Sequence, residues 1–193
     1  MTTNLIKIDD FKVYKQLNSE NDDPTISLLI GSVSEFIKTY TGRSLIDYSL
    51  TNKVEYFNAT NYFEYYPVEF PLLEVVSLEV SIDGGVTNTL LVEDTDYFVD
   101  IDEDKLVTNT GLTGFVSSTI THKSGKITYK GGYANTPYDL RLAAMDLVEY
   151  YRKGEHAPTM AMQGASVENP VVFLQGNALP PHIKRVLDNY RIL

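Results

Sequence analysis

Histidines and carboxylates are the residues of this chain that could do chemistry, so their spacing comes first. His122, His156 and His182 lie far apart, and none belongs to an HExxH pair that would set two imidazoles on one face of a zinc-binding helix. Asp100, Asp102 and Asp104 alternate within "DIDEDK", the spacing of the first ligands of a calcium loop. Such a loop needs glycine at its sixth position and glutamate at its twelfth, where this chain has Lys105 and Gly111. A hairpin turning over Asp102–Lys105 is the simpler reading. Gly125-Lys126 matches the end of a phosphate-binding loop, but the glycine required upstream is Ile120 and no Ser or Thr follows the lysine. The absence of cysteine removes thiol nucleophiles, thiolate zinc sites and disulfides together. No Gly-x-Ser-x-Gly elbow occurs. Carboxylate pairs for glycoside chemistry could be drawn anywhere among so many acids, so none is singled out. The expectation is a protein that is not an enzyme, with no catalytic, cofactor-binding or metal-binding residue to assign.

The acids matter more as a field. The chain of 193 residues has a formal charge of −10, and from Val54 to Asp104 it contains no Lys or Arg while holding 13 of the 26 acids. Glu93, Asp94, Asp96, Asp100, Asp102, Glu103 and Asp104 are the densest group. A surface built from them repels nucleic-acid phosphates, which argues against DNA binding through a basic face. It is a solvated surface, a surface that faces DNA without holding it, or one that receives a basic partner. The length suits one domain, or one with an extension, and is enough for a core without staples. No apolar run approaches the roughly 20 residues that span a bilayer. The opening "MTTNLIKIDDFKVYKQ" lacks a signal peptide's basic head and apolar middle, so secretion is not expected and a cytosolic life fits.

The elements that position these groups follow from periodicity. Asp23-Pro24 reads as cap and first helical residue, Ile26, Leu29, Ile30, Val33, Ile37 and Tyr40 recur at helical spacing, and Gly42 closes a helix over 24–41. A β-region over 54–130 follows. Val76, Leu78, Val80 and Ile82 alternate with polar residues up to an Asp83-Gly84 turn. Tyr97, Val99 and Ile101 share one face of another strand, with Phe98, Asp100 and Asp102 on the other. The aromatic stretch 56–70, broken at Pro67, reads as strand and loop packed over the sheet. "KITYKGGY" is a further strand, and Gly131-Gly132 permits the reversal into a second helix over 137–152. Thr136, Pro137 and Asp139 read as cap, first residue and capping box of that helix. Its stripe of Leu140, Ala143, Ala144, Leu147, Val148 and Tyr151 is a helix-packing or inter-subunit face. The fold class expected is α+β: a small helical domain over 1–154 with an inserted antiparallel β-region, then 155–193 as a long C-terminal arm and a short terminal helix.

The arm has no helical period yet carries Val167, Val171, Val172, Phe173 and Leu174, more apolar surface than a solvated linker needs. It either attaches to something outside the domain or packs back on its own core. The last helix, in "PHIKRVLDNYRIL", places Ile183, Val186, Leu187 and Tyr190 on one side.

In their order, "EFIKTYTGRSL", "YPVEFPLLEVVSLEVSIDGG", "DYFVDIDEDKLV" and "GKITYKGGYANTPYDLRLAAMDLVEYYRKG" resemble the head–tail connector, or head-completion adaptor, proteins of tailed bacteriophages. Tyr40-Thr41-Gly42-Arg43 and the joint from Gly132-Tyr133 to Pro137 carry most of the resemblance, which runs over roughly residues 20–153. It implies a structural virion protein without cofactor, made in the host cytoplasm, that forms a ring of about a dozen copies at the neck. Implied partners are the portal protein above, further copies of the chain, and the next neck or tail protein below. DNA would pass through without specific binding, and no membrane is involved. The arm residues 167 and 171–174 would then dock portal or neighbour. A tail terminator or tail-completion ring is the rival within the same virus class, and an acidic protein-binding module the rival outside it.

Overall fold

The computed structural model describes residues 4–59, 64–108, 123–154 and 179–192. It is a mixed α+β protein whose helices and antiparallel sheets fall into two compact units, Met1–Arg43 with Thr136–Leu193, and Ser44–Asn135. The second is inserted in sequence between two helices of the first.

The first unit contains α1 (Ile8–Lys15), α2 (Asp23–Thr41), α3 (Tyr138–Arg152) and α4 (Pro181–Asp188). Its core joins Ile26, Ile30, Val33 and Ile37 of α2 with the apolar stripe of α3, Ile183 and Leu187 of α4, and Leu5, Ile6 and Phe11 near the N-terminus. The helix expected over 24–41 is α2, closed by Gly42 in the left-handed conformation at φ 73°. Its cap position is Asp22 and its side chain makes no capping bond, so the expected cap at Asp23 is corrected by one residue. Asp23 instead holds Lys12 of α1 at 2.9 Å. The expected cap of α3 is also corrected. Pro137 occupies the cap position, and the Thr136 hydroxyl donates to the Leu5 carbonyl at 3.0 Å, tying the N-terminal segment to the joint. The chain end returns to the same unit, where Ile192 N–H donates to Thr41 O at 3.0 Å. α1 was not anticipated: it is short, and Phe11 is its one buried side chain, too little to print a stripe on the sequence.

Among the described residues the second unit contains seven strands: β1 (Lys53–Phe57), β2 (Glu64–Tyr65), β3 (Leu72–Ser81), β4 (Asn88–Leu90), β5 (Tyr97–Asp100), β6 (Lys105–Thr108) and β7 (Gly125–Gly131). One sheet has the order β1-β7-β3-β4 and the other β2-β6-β5, all pairs antiparallel. Leu72, Val75, Leu78 and Val80 of β3, Ile127 and Tyr129 of β7, Tyr97 of β5 and Leu106 of β6 form one apolar cluster from both sheets. The aromatic stretch 56–70 contributes the end of β1 to one sheet and β2 to the other, with Phe57 stacked on Tyr65 at 4.0 Å between ring centroids.

β3 corrects the expected alternation. Its register shifts between Leu72 and Glu74 and again between Val75 and Ser77, so Leu73 and Val76 are extra residues in two β-bulges. Each bulge resets which side chain points inward. Hence Leu72, Val75 and Leu78 are buried three apart, Val76 is turned outward, and Ile82 lies beyond the strand and is exposed. Ile101, expected beside Tyr97, is exposed in the β5–β6 turn, which closes one residue earlier than expected because Lys105 already belongs to β6. Gly132 has φ 86°, and a Cβ there would collide with the Ile46 carbonyl oxygen; the glycine is required by both conformation and space.

Candidate assembly surfaces

The acidic side chains of the second unit divide by what they touch. Asp104 accepts the Leu72 N–H at 2.6 Å, bracing the β5–β6 turn against β3. Asp96 accepts Val92 N–H at 2.8 Å and Asp100 accepts Glu103 N–H at 3.1 Å. Asp83 accepts from Thr87 N–H at 2.7 Å, Val86 N–H at 3.1 Å and the Ser81 hydroxyl at 2.6 Å. The Ser81 bond, followed by the backbone bond from Thr87, pulls the Asp83 carboxyl down to about 2. Glu103 and Glu64 flank Lys105 at 2.6 and 3.0 Å, which raises the lysine and lowers Glu64. Glu93, Asp94 and Asp102 are exposed and make no side-chain hydrogen bond or ion pair among the described residues. The sequence grouped these acids as one surface. The structure gives four of the seven a turn or a partner and leaves three wholly to the solvent.

Two further carboxylates were hidden by the sheer number of acids. Glu69 is fully buried and accepts from the Ser44 N–H, the Ser44 hydroxyl and the Leu45 N–H, fixing the segment that enters the β unit. Its own N–H donates to the Tyr129 hydroxyl at 2.9 Å, and that hydroxyl donates to Glu55 at 2.6 Å. Glu55 also accepts Val68 N–H at 3.1 Å. Burial, then the bond to Glu55, raises the Tyr129 phenol strongly, so it remains a donor. The available signal was "YPVEFP", an acid set among aromatics and prolines where a solvated carboxylate has no reason to be. The network makes backbone contacts and is a structural clamp. Among the described residues no group of histidines and acids could hold a metal ion.

In the helical unit, Leu140, Ala143, Ala144, Leu147 and Val148 are buried and Tyr151 is half-buried. This stripe is occupied within the chain by α2 and α4. Beside it a cavity of about 530 Å³ opens between α3 and α4, floored by Leu142, Ala143, Ile183 and Val186. On its rim, Asp146 accepts from the Tyr14 hydroxyl at 2.9 Å and pairs with Lys15 at 3.3 Å, and Asp139 accepts from the Tyr190 hydroxyl at 2.6 Å. The docking-arm candidates Val167, Val171, Val172, Phe173 and Leu174 lie outside the described residues. No described helix is long and apolar enough to cross a membrane.

What these surfaces are for is narrowed by likeness to known proteins. The head completion protein family matches residues 4–193 of this chain, from α1 through α4. The chain belongs to that family. This head completion protein also shares its fold with two solved structures. One is a chain in the neck of an empty gene transfer agent particle, at 14% identity and a TM-score of 0.54, covering 98% of this chain and 90% of the other. The second is a chain in the virion of the native gene transfer agent particle, at 15% identity and a TM-score of 0.52, with coverage of 98% and 90%. At such identities the likeness is one of fold. No curated protein sequence matches this head completion protein.

Proposed function

We propose that this head completion protein is a structural component of the head–tail neck, forming a ring beneath the portal after DNA packaging and serving as platform for the next neck or tail protein. It acts without cofactor and without catalysis, as an assembly part of the virion. The observation that carries this reading is the family match over residues 4–193. The fold shared with a chain in the neck of a gene transfer agent particle supports it.

Charge supports the conduit part of the proposal. The β unit holds 14 acids and 5 bases, a net of −9, and the helical unit 12 acids and 11 bases, a net of −1. A ring of about a dozen such copies that turned its β units to the lumen would repel DNA phosphates at every contact. DNA would pass and not adhere. Exposed Glu93, Asp94 and Asp102 are the side chains best suited to this, because no fold contact would be lost by using them. We assign Val167, Val171, Val172, Phe173 and Leu174, which lie in sequence between Gly154 and α4, to portal or neighbour docking.

A virus unable to make this protein tests the reading. It should accumulate DNA-filled heads with portals but without tails, and supplying the protein should restore tail attachment. Normal tailed particles in its absence would overturn the proposal.

A further inference from the structure

The outer face of the β1-β7-β3-β4 sheet combines two properties. It is apolar at the surface. Leu73 and Val76, the extra residues of the two bulges, are each 45% exposed, and cross-strand register sets Val54 and Tyr56 of β1 and Leu90 of β4 on the same side. The neighbouring positions are filled by Lys126 paired with Glu79 at 2.9 Å and Lys130 paired with Glu74 at 2.6 Å. These two ion pairs balance, two bases against two acids, within a unit whose remaining side chains number 12 acids and 3 bases.

From this pairing of exposed apolar side chains with local neutrality we propose that the outer face of this sheet is where a second copy of the chain seats. The inference rests on the neck reading and names the contact by which copies meet. Exposed apolar side chains gathered on one sheet face, here on either side of the Lys126–Thr128–Lys130 row of β7, mark an interaction surface. Its occupant follows from charge. A nucleic acid is repelled by the unit as a whole, and a basic partner would be drawn to the acidic turns, leaving this face bare. A second copy carries −10 and is repelled by the acidic remainder of the β unit, whereas here Lys126 and Lys130 offset Glu79 and Glu74. The bulges serve the contact directly. An unbulged strand would alternate, whereas each bulge adds one apolar side chain to the outer face without removing one from the core.

The chain has no cysteine, so a single introduced thiol reports on one position. Val76→Cys and Leu90→Cys each place a thiol on the face, and Val86→Cys, at an 84% exposed position in the β3–β4 turn, is the reference. Reaction with N-ethylmaleimide is followed on the purified chain and on whole particles. We expect all three thiols to react freely in the purified chain. In particles those at 76 and 90 should slow by at least an order of magnitude while that at 86 stays reactive. A photoreactive phenylalanine analogue at position 56, irradiated in particles, identifies the occupant by a product of twice the 21.7 kDa chain mass. Full reactivity of both face thiols in particles that contain the chain, or a photoproduct with a different protein, overturns this inference and leaves the neck reading intact. Absence of the unaltered chain from particles overturns both.

Discussion

The two units of this head completion protein distribute charge and apolar surface in opposite ways. The helical unit is almost neutral and turns its apolar stripes on itself: the inward residues of α2, α3 and α4 are buried against one another. The β unit carries nearly all the net charge and leaves five apolar side chains on an open sheet face. Half of its acids also hold the fold together. Asp47, Glu55, Glu69, Asp83, Asp96, Asp100 and Asp104 each accept a backbone N–H, doing the work of turn formation in a unit made mostly of short strands. An acidic composition here has two origins, one in the fold and one at the surface; both carry charge that repels DNA, and only the second can be altered without loss of a fold contact.

The largest effects should come from removing one buried side chain in each unit. Leu147→Ala empties a fully buried position on α3 and should cost about 2–5 kcal/mol in chemical denaturation. Glu69→Ala strands three donors at the entry to the β unit and should cost about 3 kcal/mol or more, whereas Glu69→Gln should recover part of it. If Glu69→Ala proved neutral, the clamp would have no energetic role. Ala144→Phe overpacks the α3 stripe and should cost about 1–3 kcal/mol; a variant of unchanged stability would show that face to be less tightly occupied than its burial indicates.

Smaller effects separate the two kinds of acid. Asp104→Ala should lower stability by about 1 kcal/mol through loss of the bond from Leu72. Changing Glu93, Asp94 and Asp102 together to their amides should leave the melting temperature unchanged and slow the exit of DNA from particles. Loss of stability in that triple variant would move these residues into the structural class. Asp83 supplies the pH dependence. Its carboxyl is held near 2, below the ordinary 3.8, so its contribution is complete above the ordinary value and is lost as pH falls toward 2. The difference in stability between the protein and Asp83→Asn should therefore shrink over that interval. A constant difference would contradict the turn bonds.

α2 and α3 were legible because their apolar residues repeat at the helical period over about three to four turns, and the Gly42 and Asp83-Gly84 signals mark backbone conformations that few other residues adopt. β3 was legible as a strand and misread in its facing, since two bulges three residues apart replace period two by period three. Thr136 was misassigned because its hydroxyl serves a carbonyl far away in sequence, which no local capping rule contains. The seven clustered acids were visible as composition, but their division into turn-formers and solvent-facing charges depends on which backbone N–H groups the fold brings near. The resemblance to head completion proteins rested on the order of elements, and the family match over residues 4–193 agrees with it.

Native mass of the purified chain, alone and then mixed with the portal ring, tests the central claim most directly. The account predicts a portal complex that takes up about a dozen copies of the chain in a closed ring. A chain that stays free in the presence of the portal, with no complex at any ratio, would contradict it.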